Sequence, residues 1–479
     1  MIDPRLQRAD VTRLDELREI LSQQKDADML CPIEMESISI GHGTIRELPE
    51  AVRRYGRGKR VLMVTGPTVI LDKEGEIIKE KIRAMLSESF EVSWLMLSEP
   101  GIVHATPENA AKIIARLGEA DCVVGVGSGT ICDLCKYAAH NFGPSAPPLI
   151  IFQTALSVNA FSDNSSVMLI NGVKRTVHSR YPDILIIDLD VVAAAPAEMN
   201  VSGYGDLIAT WTAPVDWYLA YSLGMNDRFH TAPSDMIRTQ CAELLEHSEQ
   251  LRAGDGKTLG DLANVLTLSG LSMGLANESA PASGSEHVMS HLIDMASPVR
   301  GTGICYHGTQ VAVSGIFSSL IWQYLLTEFD PAKVDVERCY PDPADMEKRV
   351  RAAFDWLDGE HRASEECWQD YRQKLERWHG SRAAFVSFLE NFDEFKKTAA
   401  AWVKDPAYLA ACMHAAGAPC HYKDLNYPVD AKTAVWAVTN CHLMRKRFSV
   451  IDLLNYCGVW DDAFVQRLVK RASDLDAGL

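Results

Sequence analysis

A glycine-rich segment after an apolar run has the composition of a phosphate-binding loop. The run VVGV (123–126) predicts a strand, and a helix is predicted to begin near Ile131. Glycines let backbone N–H groups approach phosphate oxygens, and a helix N-terminus adds the positive end of its dipole. The spacing is not that of the G-x-G-x-x-G fingerprint, so a tight turn whose glycines need positive φ is an alternative. The loop consists of Gly127, Ser128, Gly129 and Thr130.

Three histidines in the second half of the chain have the residue type for metal or proton chemistry. His287 and His291 are four residues apart, so they would share one helix face and could ligate one metal ion together. His307 precedes a run without Asp, Glu, Lys or Arg up to Thr327, which predicts a buried core helix too short to span a membrane. Each histidine alone is equally compatible with a hydrogen-bonded core residue.

The cysteines have no spacing that indicates a disulfide framework or a zinc knuckle. The chain has 12 of them, scattered, and the one close pair is Cys132 and Cys135 in the helix predicted after the glycine loop. The N-terminus lacks the pattern of a signal peptide. We therefore expect reduced thiols and a cytoplasmic protein.

Charge and composition restrict the partners. The 479 residues are 47% hydrophobic and 23% charged, which is typical of a globular protein with two large domains. With 47 Lys+Arg against 64 Asp+Glu the net charge is −17, so the overall field repels nucleic acid and anionic lipid. We expect a small-molecule substrate, and an anionic one would need a local cluster of positive groups.

The predicted secondary structure that positions these residues changes near residue 197. Before it, short apolar strands alternate with helices, which indicates a parallel sheet covered on both faces. After it only long helical runs follow, beginning with one predicted over 204–213. We predict a helical extension (1–35), an α/β nucleotide-binding domain (36–197) and an all-α domain (198–479).

Five segments, in order within residues 36–330, resemble the sn-glycerol-1-phosphate dehydrogenase family. That family belongs to the superfamily of iron-containing alcohol dehydrogenases, glycerol dehydrogenases and dehydroquinate synthases. The resemblance implies a Rossmann-like domain followed by a helical domain, as in dehydroquinate synthase. The segments are GVGSGTICDLCKYAAH (125–140), SVMLINGVKRT (166–176), DILIIDLDVVAAAPAEMNVSGYGDLIA (183–209), PASGSEHVMSHL (281–292) and YHGTQVAV (306–313).

The resemblance implies one divalent metal ion held by Asp206, His287 and His307. Two neutral imidazoles and a carboxylate leave coordination positions open, as in a catalytic site. Asp206 follows a Gly-Tyr-Gly turn and is expected at the start of a helix, and His291 is expected beside the substrate. We expect zinc, with nickel or iron as alternatives.

The resemblance also implies that NAD(P)H binds at the glycine loop. An aspartate at the position of Gly66 would favour NAD by repelling a 2′-phosphate, so glycine there predicts that NADPH is accepted at least as well as NADH. A simple Gly-Pro turn is the alternative. Further cofactor contacts are expected from Thr68, Asp133, Thr154 and Ser157.

Two positions depart from the family pattern. Asn159 stands where an aspartate is expected beside the metal and the substrate, and Ala280 stands where an arginine is expected. Both replacements concern the substrate and neither touches the metal ligands. Lys174 matches a substrate- or phosphate-side lysine of the superfamily, with an exposed lysine of a hairpin as the alternative.

These features predict a metal-dependent NAD(P)H oxidoreductase that interconverts a small ketone or aldehyde, phosphorylated or not, and its alcohol. The predicted catalytic residues are His291, Asn159 and Lys174. A sugar-phosphate cyclase of the dehydroquinate synthase kind and a binding paralogue without metal are alternatives. Cyclases tend to carry a glutamate at the position of Asp206, and the retained triad argues against the paralogue. We expect a homo-oligomer, and the segment after residue 340 could serve subunit contacts.

Overall fold

The computed structural model describes residues 3–99 and 102–479 of the chain, and every strand in those ranges lies before residue 189. Short strands alternate with helices up to that point, so the predicted α/β architecture is confirmed. The strands are β1 Ser37–Gly41, β2 Arg60–Thr65, β3 Glu91–Met96, β4 Cys122–Gly127, β5 Leu149–Gln153, β6 Ser165–Ile170, β7 Val173–His178 and β8 Ile184–Asp188.

Helices accompany the strands and make up the remainder of the chain. Thr106 caps one of them, as its sequence predicts, by accepting a hydrogen bond from the backbone N–H of Asn109. The helices are α1 Leu14–Ser22, α2 Leu48–Tyr55, α3 Ile78–Ser87, α4 Pro107–Leu117, α5 Gly129–Phe142, α6 Leu189–Ala194, α7 Ala197–Asp206, α8 Ala213–Ser222, α9 Ala232–Glu246, α10 Ser248–Arg252, α11 Gly256–Ala276, α12 Ser285–Arg300, α13 His307–Thr327, α14 Pro343–Phe354, α15 Arg362–Gly380, α16 Arg382–Glu390, α17 Phe392–Ala400, α18 Pro406–Ala416, α19 Ala431–Asn440, α20 Val450–Tyr456 and α21 Asp462–Asp474.

Six strands form a parallel sheet in the order β1-β8-β5-β4-β2-β3. The inner strands β4, β5 and β8 are buried along their whole length, which explains their continuous apolar sequences. β2 and β4 are neighbours, although the chain leaves β2 towards β3 on one side and β4 towards β5 on the other. This reversal is a topological switch point, where open α/β sheets bind ligands at the carboxyl ends of their strands.

The chain divides into two compact units. One contains the sheet and comprises the chain up to Ile170, Lys174–Leu207 and Thr231–Ser279. The other comprises Asn171–Val173, Ile208–His230 and Ala280–Leu479. This division differs from the predicted boundary at 197, because α9 and α11 pack in the unit that contains the sheet. The N-terminal extension joins the same unit: the backbone N–H of Val11 donates to Asn264 Oδ1 at 3.0 Å.

The region around residue 206 differs from its prediction. Instead of one helix over 204–213, α7 ends at Asp206 and a 3-10 turn covers Leu207–Trp211. The prediction that Asp206 starts a helix is therefore wrong. A carboxylate at the last position of a helix faces the negative end of the helix dipole, so it cannot act as a cap there. Gly203 explains the local path, because a Cβ at this position would lie 1.9 Å from the carbonyl oxygen of Leu156.

Two long helices are apolar over most of their length. α13 is buried almost throughout, as its charge-free sequence predicts. α11 is long and apolar enough to cross a bilayer by length and composition, yet 83% of its most apolar window is buried inside the protein.

Candidate active site

The glycine loop connects β4 to α5 at the switch point of the sheet. β4 ends at Gly127 and α5 begins at Gly129, with Ser128 as the N-cap residue. None of these residues has a positive φ, so the interpretation that the glycines serve backbone conformation is wrong. Glycine is needed at these positions because a side chain would not fit. A Cβ on Gly127 would lie 2.6 Å from Cγ1 of Ile131, and a Cβ on Gly129 would lie 3.1 Å from Cγ2 of Val158.

Three of the predicted cofactor segments meet at this edge. Gly66 directly follows β2, and Thr154 directly follows β5, the neighbour of β4 on its other side. The backbone N–H of Thr154 donates to the carbonyl of Gly127 at 2.9 Å. Ser157 lies further along, where its carbonyl accepts from Ser202 Oγ at 3.0 Å. The fold thus brings together Gly66, the glycine loop and Thr154, which are distant in the sequence.

The position of Gly66 has room for a side chain. A Cβ there would meet only the side chain of Ile131, at 3.6 Å, an ordinary van der Waals contact. A buried lysine of α3, Lys79, lies beside it and donates from Nζ to the carbonyls of Gly66 and Thr68, each at 2.5 Å. Burial lowers the pKa of Lys79. No motif in the sequence indicated this cation beside Gly66.

Asp133 belongs to a buried cluster of charges behind the loop. Lys136, which is fully buried, forms an ion pair with Asp163 and lies 3.9 Å from Asp133 Oδ1. Burial raises the pKa of Asp133 to about 7, with Lys136 and Lys174 opposing the rise and Asp163 adding to it. Lys174 is the second residue of β7, just after a turn at Asn171 and Gly172, as its hairpin alternative stated. The roles predicted for Asp133 and Lys174 stay predictions.

Asn159 contacts the predicted metal ligand through its backbone. Its N–H donates to Asp206 Oδ2 at 3.0 Å, while its side-chain Nδ2 donates to Ser269 Oγ of α11, also at 3.0 Å. All three residues are buried. The arrangement gives Asn159 a positioning contact to Asp206, and its catalytic role stays a prediction.

The three histidines lie at the starts of α12 and α13. His287 and His291 are one turn apart on α12, and His307 is the first residue of α13. The ring centroids of His287 and His307 are 5.1 Å apart, and those of His291 and His307 are 5.4 Å apart. One ligand atom of His287 lies within 4.8 Å of one ligand atom of His307. The role of Asp206 as the third ligand stays a prediction.

Hydrogen bonding fixes the tautomer of His307. Asp294 Oδ1, an acceptor, receives a hydrogen bond from Gln310 Nε2 at 2.9 Å, so Gln310 turns its carbonyl oxygen towards Ser290. Ser290 Oγ donates its single proton to that oxygen. It must therefore accept from His307 Nδ1, which is 3.0 Å away. This leaves Nε2 of His307 unprotonated, as a metal ligand requires.

The same reasoning applies to His287. Its Nδ1 is 3.1 Å from Glu286 Oε1. Burial raises the pKa of Glu286, but the hydrogen bond and the charge interaction with His287, together with the backbone N–H groups of Glu286 and Gly284, outweigh burial and hold this pKa below its ordinary value. An ionised carboxylate only accepts, so Nδ1 of His287 carries a proton, and in the neutral ring Nε2 carries the lone pair.

His291 has the opposite tautomer. Arg445 Nη2 donates to His291 Nδ1, and a guanidinium has no acceptor atom. Nδ1 therefore carries the lone pair, and a neutral His291 is protonated on Nε2. This separates His291 from the two histidines that present Nε2 lone pairs, and it disfavours the alternative that His287 and His291 ligate one metal ion as a pair.

The structure adds residues that sequence analysis missed. Ser290, Gln310 and Asp294 orient His307, but their hydroxyl, amide and carboxylate groups carry no motif in the sequence. Arg445 lies in the basic run RKR (445–447), a visible signal in a chain of net charge −17. Nothing in the sequence placed that run beside a histidine of α12.

The two cysteines of the C-x-x-C pair are buried thiols that do not favour metal or redox chemistry. Cys132 and Cys135 are both buried in α5, and Cys132 Sγ donates to Gln153 Oε1 at 3.0 Å. Burial raises the pKa of Cys135 to about 12, which disfavours the thiolate needed for metal or redox chemistry.

Comparisons with known proteins agree on one family. Residues 39–196 match the family model of iron-containing alcohol dehydrogenases. The glycerol-1-phosphate dehydrogenase [NAD(P)+] of Halalkalibacterium halodurans is 30% identical over 296 residues, covering 61% of this chain and 71% of that protein. The enzyme of the same name from Pyrococcus furiosus is 28% identical over 286 residues, covering 59% of this chain and 78% of that protein.

Solved structures show the same fold. A probable glycerol dehydrogenase from Sinorhizobium meliloti superposes with a TM-score of 0.55 at 16% identity, covering 90% of this chain and 98% of the other. Glycerol dehydrogenase from Schizosaccharomyces pombe gives a TM-score of 0.52 at 16% identity, covering 92% of each chain.

Proposed function

Because the chain belongs to the iron-containing alcohol dehydrogenase family, we propose that it is a metal-dependent, NAD(P)H-linked oxidoreductase. It would interconvert a small ketone or aldehyde, phosphorylated or not, with its alcohol. The observation that carries the proposal is the pair of histidine tautomers: neutral His287 and His307 each hold their proton on Nδ1 and present a lone pair on Nε2, and one ligand atom of each lies within 4.8 Å of the other. The family resemblance supplies Asp206 as the third ligand.

This donor set fits a catalytic divalent cation. Two imidazole nitrogens and one carboxylate oxygen suit zinc, nickel or iron, and three protein ligands leave positions open for substrate. A bound cation would polarise the substrate oxygen, and bound NAD(P)H would supply the hydride. The retained ligands and their hydrogen-bonded supports argue against a metal-free binding paralogue.

His291 would then contact the substrate oxygen. His291 is protonated on Nε2 and lies 5.4 Å, between ring centroids, from His307. It is therefore placed to donate a hydrogen bond from Nε2 to the substrate oxygen, or to a water beside it, and so to stabilise the negative charge that develops there, while the proton itself would come from solvent. Arg445 maintains this tautomer by occupying Nδ1.

The cofactor would lie at the carboxyl edge of the sheet, between the ends of β2 and β4. The glycine loop with the N-terminus of α5 would face its phosphates, and Gly66 with Lys79 would face the adenosine ribose. The absence of an acidic side chain at Gly66 supports use of NADPH. All 12 cysteines are free thiols, which supports the predicted cytoplasmic location.

Metal analysis of purified protein, followed by absorbance at 340 nm with a panel of small ketones and aldehydes, tests the proposal. We expect near-stoichiometric divalent metal and metal-dependent NAD(P)H oxidation. His287→Ala and His307→Ala should lose both metal and turnover. The control is His414→Ala, because His414 is half-exposed on α18 and contacts the backbone of Asp476 instead. Metal retained at wild-type levels in both site variants would contradict the ligand assignment.

A further inference from the structure

We propose that Arg445 and Arg447 form a subsite for the anionic group of the substrate, a phosphate or a carboxylate. The inference rests on the proposed function, because it names the substrate class of that same site. It assigns a role in substrate recognition to the segment after residue 340, for which the sequence suggested only subunit contacts.

The first observation is that this loop contacts the histidine helix at two points. Arg445 donates to His291 Nδ1, and Arg447 Nη1 donates to the carbonyl of Ser283, just before α12 begins. Arg445 and Arg447 are half-buried, whereas Lys446 between them is exposed. The guanidinium groups of Arg445 and Arg447 therefore lie against the first half of α12, whereas the ammonium group of Lys446 faces solvent.

The second observation is a small pocket between the loop and α12. Its lining includes both arginines, Ser285 and Val288 of the first turn of α12, and His442. His442 is 4% exposed, and in the described chain neither ring nitrogen has a hydrogen-bond partner. A buried imidazole without a partner costs free energy unless something supplies one. The pocket has a volume of about 10 Å³, which is room for about one water-sized atom. A single oxygen of a substrate phosphate or carboxylate seated there would accept from His442 and from the guanidinium groups.

The loop is held in place by a buried ion pair. Lys374 of α15 donates from Nζ to the carbonyl of His442 at 2.5 Å and to that of Arg447 at 3.4 Å. The same Nζ lies 2.6 Å from Asp452 Oδ1, and both side chains are fully buried. Asp452 Oδ2 accepts from the backbone N–H of Ser449 at 2.9 Å. The backbone of the loop that carries the two arginines is therefore anchored, which lowers the entropic cost of binding an anion there.

The chemistry of the pocket selects an oxyanion. Each guanidinium carries five N–H donors in a planar fork that matches carboxylate and phosphate geometry. The carboxylates nearest the start of α12 accept from its backbone: Asp216 Oδ2 from Ser285 N–H at 3.0 Å, and Glu286 Oε1 from Gly284 N–H at 2.6 Å. In a chain of net charge −17, such a local pair of cations is what an anionic substrate needs.

Titration calorimetry of the metal-loaded protein with inorganic phosphate and with acetate tests the subsite. We expect wild type and Lys446→Ala to bind one or both anions equally well. Arg445→Ala and Arg447→Ala should each bind at least tenfold more weakly, and Arg447→Lys, which keeps the charge but loses the fork, should be intermediate. The preference between the anions identifies the phosphate or the carboxylate. If Arg445→Ala does not fold, Arg447→Ala and Arg445→Lys are used in its place.

Kinetics separate the subsite from the proposed function. In Arg447→Ala, KM for a phosphorylated or carboxylated ketone should rise at least tenfold more than KM for uncharged dihydroxyacetone. The subsite is refuted if the wild type binds neither anion. It is also refuted if Arg445→Ala and Arg447→Ala bind the anions as tightly as Lys446→Ala does. Either result refutes the subsite even if neutral ketones are reduced. Arginine-dependent anion binding without reduction of any carbonyl compound would support the subsite and refute the dehydrogenase.

Discussion

Ser290→Ala tests whether the hydrogen-bond chain behind His307 determines metal affinity. Ser290, Gln310 and Asp294 are buried, and the serine hydroxyl is the one group that links the amide to the imidazole. Without it, Nδ1 of His307 loses its acceptor, and the ring can carry its proton on Nε2, where it blocks ligation. Loss of such a support costs about 10–100-fold in metal affinity. That factor corresponds to about 1.4–2.7 kcal/mol.

Competition for Zn²⁺ against a chromophoric chelator measures this effect directly. Ser290→Thr keeps the hydroxyl and should retain most of the affinity. Ser297→Ala is the matched control, because Ser297 is equally buried on α12 but donates to the carbonyl of Ile293 at 3.1 Å. The reasoning would be refuted if Ser290→Ala bound zinc within twofold of wild type, or if Ser297→Ala lost as much affinity.

Three further predictions concern cofactor choice, pH and stability. The wild-type protein should use NADPH at least as well as NADH. Gly66→Asp, for which the structure has room, should shift the ratio of kcat/KM values towards NADH. A tenfold preference of the wild type for NADH would show that Gly66 does not contact the 2′ position of the cofactor. The folded-state pKa of Asp133 is raised from 3.8 to about 7, so the folded protein holds a proton that the unfolded chain has released, and stability should fall as pH rises through that window. The thermal midpoint of Asp133→Asn should fall less steeply over that range. Part of the residual slope is due to Asp216, whose pKa burial raises to about 7, and to Asp163 and Asp452, whose pKa values burial also raises; an unchanged slope would contradict the assignment. Lys374→Met leaves Asp452 buried without its cation and should destabilise the helical unit by about 3–5 kcal/mol in chemical denaturation, whereas Lys374→Met with Asp452→Leu should recover much of the loss.

Much of the fold was predictable from local patterns. The buried strands of a parallel sheet are apolar on both faces, so β2, β4, β5 and β8 stand out as short apolar runs between helices. The lack of charge over residues 301–327 predicted the buried helix α13. The glycine loop was also visible in the sequence, although the reason for its glycines is close packing against Ile131 rather than positive φ.

The family and its reaction type were predictable because they depend on ordered segments of sequence. His287 and His307 were placed correctly at helix starts, since the Gly-Ser before one and the charge-free run after the other are local signals. Asp206 was placed at the wrong end of its helix. Its position depends on the approach of Gly203 to the carbonyl of Leu156, a contact that no local pattern reveals.

The sequence by itself determined which residue types are available and which elements they lie on. The tertiary structure decided which nitrogen of each histidine carries a proton, because Glu286, Ser290 and Arg445 set the tautomers through hydrogen bonds. Arg445 and His291 are 154 residues apart in the chain. Periodicity and propensity act over a few residues, whereas a tautomer depends on whichever donor or acceptor the fold brings within about 3 Å.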